Sequence, residues 1–240
     1  MSMLGHYTLL FHRRGLTKTT SLEGKQHSLA HPDEPFVWPY EVEKTSDSLR
    51  GCIHVGAWDC AEMGCYVALF NKNVIWIEAN PFTCENLSRP RTRLYDHGLF
   101  NFAAYDKDDE EVELRIPHKA DCSTLMISSQ PDFQPIDVVK VKTKKLDTLI
   151  KEQQIDMNNI DFLNIDTEGC EYKVLEGMKE NLKYIDFIFL EVANDPERFP
   201  GTPRFNEIEQ YLRDRGFILV EHSDMAQGWG DAFFVRESKL

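Results

Sequence analysis

From residue 51 onward, short apolar runs that end on a glycine or an acid alternate with stretches whose apolar residues recur at helical spacing. That alternation restricts the chain to an α/β domain with a largely parallel sheet, because strands buried on both faces need helices to cover them. The strands expected are CIHVG at 52–56, NVIWIEANP at 73–81, LFNFAAYD at 99–106, DFLNID at 161–166 and IDFIFLEVAND at 185–195, with FILVEH and DAFFVRE closing the sheet. EEVELRIP at 110–117 predicts an extra strand or hairpin, and DVVKVKTKKLDTLI a strand passing into a helix. Within the latter, Val139, Val141 and Thr143 alternate with Lys140, Lys142 and Lys144, the pattern of a half-buried strand with a solvated outer face. Helices are expected over CAEMGCYVALF, from FTCENL, over 169–183 and over 205–216, where Gly216 ends the last. Val174, Leu175, Met178 and Leu182 share one helical face, which therefore packs on the sheet.

Residues 1–48 are polar and Pro-containing and predict an N-terminal arm or cap; residues 49–240 form the domain, with a small insertion around 107–138. No apolar run reaches the roughly 18 residues that a membrane span needs. The N-terminus carries neither a basic region ahead of its apolar patch nor a small-residue cleavage site, which predicts a cytoplasmic protein. Six cysteines without a C-x-x-C pair read as reduced, mostly buried thiols. A net charge of −13 argues against a nucleic-acid partner, since phosphate binding draws on clustered Lys and Arg.

Ligands of open α/β sheets bind beyond the carboxyl ends of the strands. Here those ends carry Gly56, Ala57 and Asp59, then Glu78, Ala79 and Asn80, then Ala103 and Ala104, then Asp166 to Gly169, and last Glu191 to Asn194. A glycine past the first strand admits a ligand close to the backbone, and an acid ending the second can accept from both hydroxyls of a ribose. A dinucleotide would bring G-x-G-x-x-G, which is missing, and Asp59 sits where a phosphate would be repelled. The loop suits a cationic or zwitterionic nucleoside.

S-adenosylmethionine has that character, and the motifs resemble those of the FkbM methyltransferases. The resemblance lies in IHVGAWDCAEMG, VIWIEANPFTCENL, FNFAAYDKDDEEVEL, CSTL, VKTKKLDTLI, IDFLNIDTEGCEYKVLEGM, FIFLEV and GWGDAFFV, with Asn164 departing from the lysine often found before the I-D pair. It implies a Rossmann-like methyltransferase fold, a mostly parallel seven-stranded sheet with helices on both faces. It further implies that Gly56, Asp59 and Glu62 line the methionine end of the cofactor, with Ala57 and His54 beside them. Glu78 would hold the ribose, and Asn80 and Ala104 would border the adenine, with Ala79, Ala103 and Asp166 also against the cofactor. His54 lies within a strand and reads equally as a packed, hydrogen-bonded residue.

Methyl transfer to an alcohol is an in-line displacement that needs a base for the hydroxyl proton. Asp166 is the first candidate and Glu168 the second; the bland alternative is that both satisfy the following helix N-terminus, with Glu171. Asp166, Glu168, Glu191 and Asn194 are also hard oxygen ligands, but sequence separation does not make a metal site, and none is expected. His118, Ser123, Glu191, Asn194 and His222 are the candidate acceptor contacts, and Trp58 and Trp229 could stack on a sugar ring or simply pack. The resemblance implies O-methylation of a hydroxyl, on a sugar of a glycan, glycolipid or glycosylated metabolite. A catalytically silent binding module and a nicotinamide-dependent oxidoreductase are the rival readings.

Overall fold

A computed structural model describes residues 19–20, 26–27, 49–60, 66, 70, 73–87, 98–195, 197–222 and 228–240. The expected arm at 1–48 therefore lies almost entirely outside the described residues, apart from two short strands, Thr19–Thr20 and Gln26–His27, that pair antiparallel. Most of the helix expected after the first strand also lies outside them, although Tyr66 and Phe70 are helical and buried.

The domain is built on a seven-stranded sheet. Its strands are β1 (Cys52–Val55), β2 (Val74–Glu78), β3 (Gly98–Asn101), β7 (Phe162–Ile165), β8 (Phe187–Ala193), β9 (Phe217–His222) and β10 (Trp229–Arg236). They lie in the order β9-β10-β8-β7-β1-β2-β3, parallel except at β10, which runs antiparallel to both of its neighbours. This is the mostly parallel Rossmann-like arrangement expected. The central strands are short and wholly buried, CIHV, VIWIE and FLNI, as strands covered on both faces must be.

The expected single strand over 99–106 divides at Phe102. Beyond Glu78 the ladder gives way to the Asn101 side chain, whose Nδ2 donates to the Glu78 and Ala79 carbonyls at 2.7 and 3.2 Å. The chain then leaves the large sheet and enters a second, three-stranded one through β4 (Ala103–Ala104). That sheet is completed by a hairpin of β5 (Glu111–Pro117) and β6 (Pro135–Lys144), in the order β4-β6-β5. In β6, Val141 and Thr143 are buried while Lys140 and Lys142 are exposed, so the alternation read from the sequence is the real one.

Besides the helical Tyr66 and Phe70, the helices among the described residues are α1 (Pro81–Leu87), α2 (Leu146–Glu152), α3 (Glu171–Gly177) and α4 (Phe205–Arg213). Val174, Leu175 and Met178 of α3 and its continuation are 0% exposed, in one cluster with Ile53, Ile165 and Leu190 of the strands. At about 25 cal/mol per Å² of apolar surface, each such side chain contributes roughly 1.5–3 kcal/mol to holding α3 in place. The helix is shorter than the 169–183 expected, because its last turn opens at Met178 and resumes as a 3₁₀ turn at Leu182–Tyr184. Cys52, Cys60, Cys122 and Cys170 are buried, and no described helix is long and apolar enough to cross a membrane.

Candidate active site

Burial of the VIWI run carries β2 through the sheet interior, so its final residue, Glu78, emerges at the carboxyl edge while remaining 6% exposed. Its Oε2 accepts the Trp58 amide at 2.7 Å and its Oε1 accepts the Asn80 amide at 2.6 Å. The Ala79 amide is a third backbone donor to it, and since a carboxylate offers about four lone-pair sites, acceptor capacity is left over. Burial raises the Glu78 pKa, the Asn80 and Trp58 amides counter it, and the Asp166 carboxylate adds to the rise. The Asn80 side chain meanwhile accepts from the Phe82 and Thr83 amides at 3.0 and 3.4 Å and so caps α1.

The loop after β1 is tightly wound: Gly56, Trp58 and Cys60 have φ of 84°, 41° and 55°. Only glycine fits at position 56, and the reason is another strand end rather than a ligand. A Cβ there would sit 1.7 Å from the Asp166 carbonyl oxygen, and the Asp166 amide donates to the Val55 carbonyl at 2.9 Å. The glycine loop and the first candidate base are thus backbone neighbours.

Past Asp166 the other two acids of IDTEGCE go separate ways. Glu171 folds back over the turn, its Oε1 accepting from the Thr167 and Gly169 amides at 3.1 and 3.0 Å and from the Thr167 hydroxyl at 3.1 Å. Burial raises its pKa and these donors oppose the rise. Glu168, at φ 52° and 2% exposed, accepts from Arg198 Nη2 at 2.9 Å, and the same nitrogen reaches Glu191 Oε1 at 2.9 Å. Arg198 is itself 5% exposed, with its guanidinium carbon 4.8 Å from the Phe133 and Trp229 ring centres and 5.3 Å from that of Phe199. Trp229 therefore stacks on a cation, one of the packing roles open to it. Glu191 is held well above the ordinary carboxyl range by burial first, then by Glu168 and Asp166, with Arg198 opposing. One oxygen from each of Asp166, Glu168 and Glu191 lies within 4.8 Å of the others, close enough to share a metal ion. Arg198 supplies positive charge to two of the three.

A cleft with about 530 Å³ of empty space, counted to its open mouth, lies over these strand ends. Gly56, Trp58, Glu78, Asp166 and Thr167 line one side. Ala79, Ala103 and Ala104 continue the lining, and Leu114, Asp121, Ser123 and Leu125 of the insertion supply a further wall. That wall is fastened by Thr124, 1% exposed, whose hydroxyl donates to the Glu168 carbonyl at 2.6 Å.

The structure thus brings Gly56, Glu78, Ala79, Ala103, Ala104, Ser123 and Asp166 into one cleft. Glu168 and Glu191 meet beside it on Arg198. Ala57 is buried in the core on the other side of the β1 end. His54 is interior to the sheet, its ring 5.0 Å from Trp76 and 5.6 Å from Tyr66, facing Asn164 across the β1–β7 ladder. Asn164 Nδ2 donates to the Tyr66 hydroxyl at 2.6 Å, which gives that residue a packing role. Asp59, His118, Asn194 and His222 are exposed, and Glu62 lies outside the described residues. Two contributors escaped the sequence reading. Arg198 sits in an aperiodic Pro-flanked loop that offers no signal, whereas Asp121 adjoins the CSTL segment already noted.

The model of the FkbM methyltransferase domain matches residues 52–219. Among curated proteins none matches the chain. Solved structures similar to it include TrmK of M. capricolum in complex with S-adenosyl-homocysteine, at 10% identity and a TM-score of 0.42, covering 81% of this chain and 65% of that one. Another is a SAM-dependent methyltransferase from Aquifex aeolicus, at 8% identity and a TM-score of 0.38, covering 77% and 81%.

Proposed function

We propose, on the premise that the chain belongs to the FkbM methyltransferase family and uses S-adenosylmethionine, that it methylates a hydroxyl group on a sugar of a glycan, glycolipid or glycosylated metabolite. The observation that carries the hydroxyl is the position of Asp166: a half-buried carboxylate in the cleft wall, backbone to backbone with the glycine loop. Glu168 and Glu191 are engaged by Arg198 beside the cleft, whereas Asp166 borders the cleft itself and is assigned to receive or orient the acceptor proton. The sugar follows from the family resemblance of the motif residues.

The cleft fits the cofactor on its own chemistry. Glu78 borders the cleft and keeps acceptor capacity beyond its backbone bonds, as a ribose hydroxyl requires. Glu78, Asp121 and Asp166 line the cleft together, a charge arrangement suited to a ligand bearing a sulfonium and an ammonium. When bound, S-adenosylmethionine supplies the electrophilic methyl group. The chain's own part is to grip the ribose at Glu78, hold Asp166 at the mouth, and exclude water with the insertion.

Calorimetric titration with S-adenosylhomocysteine, with NAD in parallel, tests the first step: saturable binding of the former alone is expected, and binding of NAD alone would sink the reading. A labelled-donor screen of sugar acceptors, with a transfer RNA as control, tests the second. Asp166→Asn should then slow transfer by roughly 100-fold while leaving S-adenosylhomocysteine affinity within a factor of about 3. Label on RNA only would remove the sugar.

A further inference from the structure

The insertion's share of the cleft lining has two parts of different chemistry. Leu114 and Leu125 join Ala79 and Ala103 in one contiguous apolar cluster, and all four border the cleft. Asp121 and Ser123, on the segment between those two leucines, border the same cleft with polar groups. The segment is firmly built. Arg115 and Thr124 exchange backbone bonds at 2.8 and 3.0 Å, and the Thr124 hydroxyl accepts the Met126 amide at 2.9 Å. Cys122, 3% exposed, packs with Phe133 and Phe199 beneath it.

The order of groups along the cleft matches the order of groups along the cofactor. In the sheet, β1 and β7, which lead to Gly56 and Asp166, lie on one side of β2 and its Glu78, and β3, which leads to Ala103, lies on the other, where Ala79, Ala103, Leu114 and Leu125 form an apolar slot. With the ribose at Glu78, the amino-acid end falls toward the glycine loop and the flat purine toward the apolar slot. A purine in such a slot is oriented by the few polar groups at its rim. Resting on the cofactor assignment made above, we propose that Asp121, with Ser123 beside it, reads the purine base. Asp121 accepts a hydrogen bond from the exocyclic amino group of adenine, so base specificity resides in the insertion rather than in the strand ends.

The test compares S-adenosylhomocysteine with its analogue in which hypoxanthine replaces adenine, by calorimetry, on the wild-type chain and on Asp121→Ala, Asp121→Asn and Ser123→Ala, with melting curves as a folding control. The wild type should prefer the adenine compound by about tenfold or more, because the oxo group of hypoxanthine meets an acceptor. Asp121→Ala should bind both compounds equally, and Asp121→Asn, whose amide can donate to the oxo group, should erase or invert the preference. Ser123→Ala should weaken both by a smaller factor. If the wild type binds S-adenosylhomocysteine but shows no base preference, or Asp121→Ala retains the wild-type preference and affinity, the inference fails while the cofactor assignment stands. If the wild type binds neither compound, both fail.

Discussion

Two buried acids a short distance apart are accommodated by opposite means. Glu78 is stabilised by backbone amides, of Asn80, Trp58 and Ala79, and borders a cleft. Glu191 is stabilised, with Glu168, by a full countercharge on Arg198, closed in by Phe133, Phe199 and Trp229. Amides compensate a carboxylate without filling the space in front of it, whereas a guanidinium in an aromatic cage fills that space. The first arrangement leaves a binding site and the second makes a joint. Arg198 ties the turn after β7, the end of β8, the insertion and β10 together through one side chain.

Removing the countercharge should break the joint most severely. Arg198→Met keeps bulk in the aromatic cage but strands two carboxylates, and is expected to cost about 3–5 kcal/mol in denaturant unfolding. The triple variant Arg198→Met, Glu168→Gln, Glu191→Gln should recover much of that loss, since a buried ion cluster replaced by neutral groups is often near neutral. If the triple variant is as unstable as the single one, the charges are not what holds these elements together.

Glu78→Gln touches the open member of the pair. Its amide would present a donor to a backbone donor and remove the charge that the proposed function sets against the ribose. Affinity for S-adenosylhomocysteine should fall by about tenfold or more, with a stability loss well below that of Arg198→Met. Unchanged affinity would take the ribose away from Glu78.

The smallest effect separates the two by pH. Glu191 has a folded pKa raised well above its ordinary 4.5, so between those values the folded chain binds more protons than the unfolded one. Its contribution to stability is therefore greatest at low pH and is lost as pH rises through the folded value. Glu191→Gln cannot ionise, so the melting temperature of the variant minus that of the wild type should climb as pH increases above 4.5. A difference independent of pH would show that Arg198 keeps Glu191 ionised throughout.

Much of the scaffold was legible because its signals are local. The buried face of α3 and the alternation along β6 follow from spacing, and the strand-end acids follow from where apolar runs stop. What escaped was set by contacts between distant segments. The sequence placed Gly56 for a ligand's approach, yet the close partner is the Asp166 backbone. Ser123 was expected at the acceptor and lies in the same cleft as Glu78, because the hairpin folds back over the strand ends. The role of Arg198 depends on side chains from four other parts of the chain, Glu168, Glu191, Phe133 and Trp229, and no spacing rule encodes that.

The contact between Gly56 and Asp166 also has a meaning in time. It is made by neighbouring parallel strands whose paired residues, such as His54 and Asn164, stand 110 positions apart in the chain. Closing so long a loop costs entropy before any contact rewards it. The glycine loop and its acid therefore come together only after the insertion and α2 have been synthesised and β7 has docked. A chain released before residue 161 would carry the loop, Glu78 and the whole insertion and still have no site.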